Sequence, residues 1–526
     1  MKKEVALTII TLFFANLCFA QSTIEWQRCL GGSSYDVAHS IQQTSDGGYI
    51  IAGVSESNDG DISGNNGWYD YWVVKLDSSN GIEWQSSLGG SSGDYANCIQ
   101  QTFDDGYIVS GYSASDDGDV IGNHGGLDYW IVKLNSFGEI EWQNSLGGSL
   151  DDYAYSIEQT GDGGYIVAGE SASNDGDIIG NRGGIDYWIV KLDSSGSILW
   201  QRSLGGSLDD VAESIQQTSD DGFIVAGKTA SYDGDVSGNH GNGDYWVVKL
   251  DSSGSLEWQR SLGGSSYDWA YSIEQTGDNG YIVAGRSYSN DGDVGEHHGT
   301  PGDCADYWVA KLDSSGSIEW QHSFGGIHDD LAYSIQQTAD NGYIVAGYSL
   351  SNDGDISGNH GEYDSWILKL SSSGSLEWQR PLGGSEGDFA YYIQQTSDDG
   401  FIMAGFSRSN DGDVSGNHGY EDYWVVKLSA DDGIKENILP TNFTLNVSPN
   451  PFNSSCRITA PENAQIEIYD LQGNVVGANG VRPMLYAPMN RTFIWKPDES
   501  ISSGIYLVRV TAMNGNCVTK RILYLK

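Results

Sequence analysis

Aspartate and asparagine recur at fixed spacing along a glycine-rich segment that is repeated through the chain. One copy places Asp59, Asp61, Asn65 and Asp70 together. Others place Asp117, Asp119, Asn123 and Asp128, then Asp175, Asp177, Asn181 and Asp186. Further on stand Asp353, Asp355, Asn359 and Asp364, and finally Asp411, Asp413, Asn417 and Asp422. Closely spaced oxygen ligands on a flexible loop suit a hard cation such as Ca²⁺, which takes roughly six to eight oxygens. The spacing is not that of an EF-hand loop. The same residues also suit turns, in which Asp and Asn side chains bond the backbone and Gly allows the bends. Both readings stand on the sequence, and no cofactor other than Ca²⁺ is implied. The copy with four extra residues, at 295–306, lacks the Gly-Asn pair and would be the weakest cation site.

A second aspartate follows each Gly-Gly pair: Asp36, Asp94, Asp152, Asp210, Asp268, Asp330 and Asp388. Seven equal positions do not make one active centre, so these read as turn-fixing residues. His124, His240, His360 and His418 recur once per copy and could share a metal only on a common axis. The turn carrying Thr44, Asp46 and Gly48 faintly resembles the Asp-box of sialidases, itself a structural motif. A sialidase also needs clustered Arg, and here Arg28, Arg182, Arg202, Arg260, Arg286, Arg380 and Arg408 are spread along the chain. No Ser-His-Asp set or phosphate-binding Gly loop is present. No catalytic residue is assigned, and the chain reads as a non-enzyme. Asymmetry enters at Trp68, Trp269, Arg182 and the 295–306 insertion.

The elements that position these loops repeat sevenfold. Trp-Gln occurs at Trp26, Trp84, Trp142, Trp200, Trp258, Trp320 and Trp378, spaced 58 residues apart except for one step of 62. A second Trp recurs at Trp72, Trp130, Trp188, Trp246, Trp308, Trp366 and Trp424. Each unit holds four β signals, rich in β-branched and aromatic residues and without a helical period. In the third copy these are A (154–160), B (Tyr165–Ser171), C (187–193) and D (197–204). Four short antiparallel strands repeated seven times predict an all-β, seven-bladed propeller of four-stranded blades. The long B–C loops then lie on one face, where a ligand is expected.

The phase of the repeat predicts how the ring closes. The chain after residue 20 opens on a lone D strand, residues 23–30, and the last copy ends after its C strand at Leu428. The N-terminal strand therefore completes the last blade and removes an exposed sheet edge. Across the C–D hairpins Lys75 faces Glu83, Lys133 faces Glu141, Lys249 faces Glu257, Lys311 faces Glu319 and Lys369 faces Glu377. Leu199 interrupts the series opposite Lys191, and Lys427 should meet Glu25 across the closure. Such pairs read as structural, not ligand-binding.

The net charge of -46 excludes nucleic acid as a partner and disfavours anionic lipid. From Pro440 onward the balance turns to +3, which marks a boundary near 435–440. Residues 1–20 have a basic start, an apolar run and a small residue before Gln21, the pattern of a secretory signal peptide. No other segment could span a bilayer. Domains are thus expected at 1–20 (signal peptide), 21–435 (propeller) and 441–526. Cys29, Cys98, Cys304, Cys456 and Cys517 remain after cleavage, an odd number. Cys456 and Cys517 either form a disulfide or stay as two buried thiols.

Residues 441–526 carry Ser448-Pro449-Asn450-Pro451-Phe452, then IEIYDLQGNVV at 466–476, SGIYLVRV at 503–510, and a final strand at 519–525. In order and spacing this segment resembles the C-terminal sorting domain of the type IX secretion system. The resemblance implies a small Ig-like β-sandwich, recognised by that machinery at the outer membrane and commonly cleaved, with the cargo released or held at the cell surface. The leading functional reading is an exported binding or adhesion propeller whose B–C loop face meets a glycan or a protein. The alternative is a secreted polysaccharide hydrolase or lyase, and a third reading is a surface-layer component.

Overall fold

The computed structural model describes residues 22–430 and, in the tail, 446–448, 453–459, 465–469, 492–497, 501–511 and 517–526. The chain divides into two compact units, Met1–Gly433 and Ile434–Lys526. The expected signal peptide and the 435–440 boundary lie outside the described residues.

The first unit is a ring of seven four-stranded antiparallel sheets. In blade 1 strand A is Asp36–Gln43, B is Tyr49–Ser55, C is Asp70–Leu76 and D is Ile82–Leu88. Blades 2 to 6 repeat that order, and the A strands of neighbouring blades adjoin around the axis. Blade 7 takes its A, B and C strands from Asp388–Gln395, Phe401–Ser407 and Asp422–Leu428. Its fourth strand is Ile24–Leu30, which pairs antiparallel with Asp422–Leu428 from Ile24↔Leu428 to Leu30↔Tyr423. The ring closes as the repeat phase predicts.

Strands A and C begin earlier than the hydrophobic pattern indicates. In the third copy they start at Asp152 and Asp186, not at Ala154 and Tyr187. Both aspartates are fully buried, so a polar residue read as the end of a loop is the first rung of a ladder. Strands B and C of blade 1 are buried along their whole length, whereas D alternates between half-buried and exposed. B and C are therefore the interior of each blade, and D its rim.

Blades stack through strand C. Trp72, Trp130, Trp188, Trp246, Trp308, Trp366 and Trp424 are completely buried. Tyr71 OH donates to the Trp130 carbonyl of the next blade at 2.8 Å, with the two rings 4.5 Å apart. The same contact crosses the closure, from Tyr423 OH to the Trp72 carbonyl at 2.9 Å. Blade 6 has Ser365 in place of this tyrosine, and its hydroxyl has no hydrogen-bond partner among the described residues. Strand B glycines complete the packing. A Cβ on Gly53 would lie 2.0 Å from the Val37 carbonyl oxygen and 2.8 Å from Tyr423 OH.

The buried lysines are structural, as expected. Lys75 reaches Glu83 at 3.4 Å, Lys133 reaches Glu141 at 3.0 Å, and Lys427 reaches Glu25 across the closure at 3.5 Å. The ladder aligns Lys75 with Trp84, and a register shift brings Glu83 within reach. Each lysine also has a partner that strand pairing could not reveal, the aspartate of the A–B turn. Lys75 meets Asp46 at 2.9 Å, and Lys191, opposite Leu199, meets Asp162 at 3.1 Å. This is the structural work of the Thr-x-Asp-x-Gly turn: Thr44 Oγ1 donates to Asp46 at 2.5 Å and Gly48 N donates at 2.9 Å.

In the second unit two three-stranded antiparallel sheets are described. One joins Asn446–Ser448, Cys456–Thr459 and Thr492–Trp495; the other joins Gln465–Tyr469, Gly504–Thr511 and Cys517–Tyr524. Trp495 of the first sheet meets Tyr506 and Tyr524 of the second, at 5.4 and 6.5 Å between ring centres. Cys456 is a free, buried thiol in the first sheet, whereas Cys517 lies in the second. The side chain of Cys517 lies outside the described residues.

Candidate ligand-binding face

The B–C loops are tied down by the side chains singled out as cation ligands. Asp59 Oδ1 accepts from Ser33 N at 2.8 Å, and Asp117, Asp175, Asp353 and Asp411 repeat the contact with Ser91, Ser149, Ile327 and Ser385. Asp61, Asp119, Asp177, Asp355 and Asp413 donate their backbone N–H groups to Gly31, Gly89, Gly147, Gly325 and Gly383 at 2.9 Å. Asn65 Nδ2 donates to the Ser55 carbonyl, and Asn123, Asn181, Asn359 and Asn417 do the same to Ser113, Ser171, Ser349 and Ser407. These are the bonds of turns and of loop-to-loop ties. Among the described residues, no three His, Cys, Asp or Glu side chains gather as a metal ion would need.

The aspartates that open strand C are different. Asp70, Asp128, Asp186, Asp244, Asp306, Asp364 and Asp422 each leave a buried Oδ1 without a hydrogen-bond partner among the described residues. The other oxygen accepts the backbone N–H four residues earlier, as in His124 N to Asp128 at 2.7 Å, or eight earlier in the case of Asp306 and His298. The loop histidines bond these carboxylates too: Nδ1 of His124, His240, His360 and His418 lies 2.6 to 2.8 Å from its aspartate. The histidines thus serve one carboxylate per blade and do not meet on the axis. Across each junction stands the strand A aspartate of the next blade. A Cβ on Gly31 would lie 2.6 Å from Asp422 Oδ1 and 2.8 Å from Asp36 Oδ2, so only glycine passes between the two carboxyls. Burial pushes Asp70 and Asp330 up to about 7, and Asp128, Asp186, Asp244 and Asp388 to about 6.

The repeats differ sharply where they meet the axis at the loop end. The second and fourth residues of strand A and the sixth of strand B share one side of the blade, since Tyr153 pairs with Glu170 and Trp269 with Arg286. These columns hold Val37, Tyr95, Tyr153, Val211, Trp269, Leu331 and Phe389; then His39, Asn97, Tyr155, Glu213, Tyr271, Tyr333 and Tyr391; then Val54, Tyr112, Glu170, Lys228, Arg286, Tyr348 and Phe406. Their rings touch in series around the axis. Tyr69, Tyr95, Tyr112 and Tyr153 follow one another at 5.2, 4.9 and 4.7 Å. On the other side Trp269, Tyr271, Tyr333 and Tyr391 follow at 5.5, 4.4 and 5.0 Å, and Tyr391 lies 5.6 Å from His39.

Charge is confined to one sector of this aromatic cluster. Trp269 Nε1 donates to Glu213 at 2.9 Å, and Tyr155 OH donates to Glu170 at 3.3 Å. Lys228 Nζ sits 3.7 Å from the centre of the Trp269 ring, and the Arg286 guanidinium 5.0 Å from it. Burial pushes Glu213 up to about 8, with the Glu170 charge adding to it and the Trp269 hydrogen bond opposing. Burial likewise pushes Glu170 up to about 7 and Lys228 down. Deeper along the axis lies a cavity of about 260 Å³ lined by Gln42, Gln100, Glu158, Gln216, Glu274, Gln336 and Gln394. Each of these side chains accepts an N–H from the next blade, as Gln42 does from Gln101 at 2.6 Å.

Of the asymmetric residues noted in the sequence, Trp269 belongs to this cluster. Arg182 stands in for the loop histidine and pairs with Asp235, and Trp68 is 75% exposed. The cluster itself escaped the sequence reading, which compared the repeats for what they share. Comparing them column by column finds it: Ala38, Gly53 and Trp72 recur in every copy, while three columns run through aromatic, aliphatic, acidic and basic side chains.

Residues 446–524 match the family described as the secretion system C-terminal sorting domain. Over 192 residues the chain is 31% identical to the regulatory protein FlaEY of Caulobacter vibrioides. That match takes in 34% of this chain and 20% of the relative, so the chain spans about a fifth of that protein's length. Among solved structures, Sqt1 from Chaetomium thermophilum is 12% identical with a TM-score of 0.38, covering 95% of this chain and all of that one. A puromycin hydrolase is 11% identical with a TM-score of 0.41, covering 82% of this chain and 59% of that one. Nothing about the axial cluster follows from either likeness. The described residues contain no helix long and apolar enough to cross a membrane. A seven-bladed propeller built from near-equal repeats is followed by a type IX secretion sorting domain, and the chain is a secreted propeller protein.

Proposed function

We propose that this chain is a non-enzymatic binding protein that holds a glycan on the axial aromatic cluster of its loop face. One observation carries the reading: the seven repeats share scaffold residues such as Ala38, Gly53 and Trp72 but diverge in three adjoining columns at this place. Scaffold positions stay alike because each meets the same neighbours, so divergence concentrated in one patch points to a surface shaped for something outside the ring. Tyrosine and tryptophan suit sugars, offering flat apolar faces to C–H groups and polar edges to hydroxyls. The B–C loops bound the patch, and their turn chemistry needs no cation for this role.

The test is affinity electrophoresis of the full chain in gels containing soluble neutral polysaccharides. Trp269→Ala and Tyr333→Ala are expected to weaken retardation at least about tenfold. Phe137→Ala, which alters an exposed side chain in a C–D turn at the other end of the blades, should leave it unchanged. Equal retardation of all three variants would contradict the assignment. A second reading, polysaccharide cleavage, draws on Glu170 and Glu213, whose raised pKa values suit a general acid. New reducing ends or unsaturated sugar products released by the wild-type chain would favour it.

A further inference from the structure

We infer that Lys228, Arg286 and Trp269 form a subsite for the carboxylate of a single acidic sugar carried on an otherwise uncharged glycan. The inference rests on the binding reading above and sharpens it.

The propeller has few cations, and nearly all are committed. Lys75, Lys133, Lys191, Lys249, Lys311, Lys369 and Lys427 are held by the aspartates of the A–B turns. Arg182 pairs with Asp235, and Arg408 with Glu421. Arg28, Arg202, Arg260 and Arg380 donate to the backbone carbonyls of Asn80, Gly254, Ser315 and Ser22. Among the described propeller residues, Lys228 and Arg286 are the two that have neither a carboxylate nor a carbonyl within bonding distance. In a chain of net charge -46, two cations without a hydrogen-bonded acceptor are exceptional, and Lys228 feels the charges of Glu170, Glu213 and Asp209 only at longer range.

They are also adjacent. Both lie over the indole of Trp269, and both come from the diverging column of strand B. Both are half-buried, so a charge placed against them is screened less than one on the open surface. A guanidinium and an ammonium beside one flat ring offer a carboxylate several N–H donors and its sugar ring a face to stack on. Glu213 and Glu170 stand close by, and their raised pKa values favour the protonated form, which donates to an incoming carboxylate and does not repel it. The number of negative charges follows from the rest of the molecule. Lys228 and Arg286 converge on one ring and so can hold one carboxylate between them, while a polyanion would carry its remaining charges along a strongly acidic surface.

The test uses the full chain and isothermal titration with a glucuronic-acid-capped and a sialic-acid-capped trisaccharide, each beside its uncapped neutral parent. At least one capped sugar is expected to bind about tenfold or more tightly than its parent, and which one it is identifies the acidic sugar. The preference should shrink as salt rises. Arg286→Gln and Lys228→Met should each abolish the preference for the capped sugar over its parent while leaving the melting temperature in place. The subsite is refuted if neutral parents bind as well as capped sugars, if the preference survives both variants, or if polygalacturonate binds best. Absence of binding by both capped sugars at about 1 mM also refutes it. Loss of all sugar binding in Trp269→Ala alongside an inert Arg286→Gln would remove the carboxylate subsite and leave the binding face standing.

Discussion

Deleting residues 21–30 is expected to lower the melting temperature by more than about 10 °C, far beyond the effect of removing the four extra residues of the 295–306 loop. Blade 7 would lose its fourth strand and the ladder from Ile24↔Leu428 to Leu30↔Tyr423. It would also lose the Gln27 acceptor 3.0 Å from Trp424 Nε1, the Ser22 hydroxyl 2.6 Å from the Ser429 carbonyl, and the Lys427–Glu25 pair. Each hydrogen bond is worth about 1 kcal/mol, and a buried donor left unpaired costs more. The larger effect is topological. This strand pairs in the last sheet and runs straight on into the first blade, so its removal turns a ring sealed by main-chain bonds into one held shut by side-chain packing. An insertion on the loop face closes nothing, and its loss should be tolerated. An unchanged melt of the deletion variant would refute the closure.

Raising the pH from about 5 to about 8 is expected to destabilise the propeller by at least several degrees. The reason is the ring of buried aspartates at the blade junctions. In the folded chain burial holds Asp70 and Asp330 at about 7, and Asp128, Asp186, Asp244 and Asp388 at about 6. In the unfolded chain an aspartate titrates near about 3.9. Between these values the folded state binds more protons than the unfolded state, so stability falls as pH rises. That loss starts above about pH 4 and levels off once the folded-state carboxyls have ionised. The turn aspartates act in the opposite sense. Burial alone would raise Asp46, Asp162 and Asp278, but their threonine, backbone and lysine partners outweigh it and hold them at about 2. Their contribution is present above about pH 4 and disappears as pH falls further. Stability should therefore peak in mildly acidic solution. Thermal melts across this range check it, and a higher melting temperature at pH 8 would contradict the buried-carboxyl account.

The ring was legible in the sequence because its signal is periodic. Trp-Gln at one phase and Tyr-Trp at another mark strands D and C, and the missing Glu-Trp-Gln after Leu428 announces the closure through residues 23–30. The Lys427–Glu25 contact was legible too, although the ladder pairs Lys427 with Trp26 and a register shift brings Glu25 within reach. Two things were not legible. Asp152 and Asp186 look like loop residues because a buried carboxylate at the head of a strand breaks the apolar pattern, and only the fold shows each one facing another carboxyl across a glycine. The axial cluster was hidden for a different reason. Val37, Glu213 and Arg286 share no chemistry and are distant in sequence; sevenfold symmetry alone brings them to one end of one axis. The Asp59, Asp61 and Asn65 series lies on the loop face, and its hydrogen bonds show how those loops are anchored.

The measurement closest to the central claim is hydrogen–deuterium exchange of the full chain with and without a polysaccharide that it retards in affinity gels. The account predicts protection at the start of the A strands and the end of the B strands, centred on Trp269, Tyr333 and Tyr391, with the outer D strands unaffected. Protection confined to the B–C loop tips or to the D strands, with the axial segments unchanged, would contradict it.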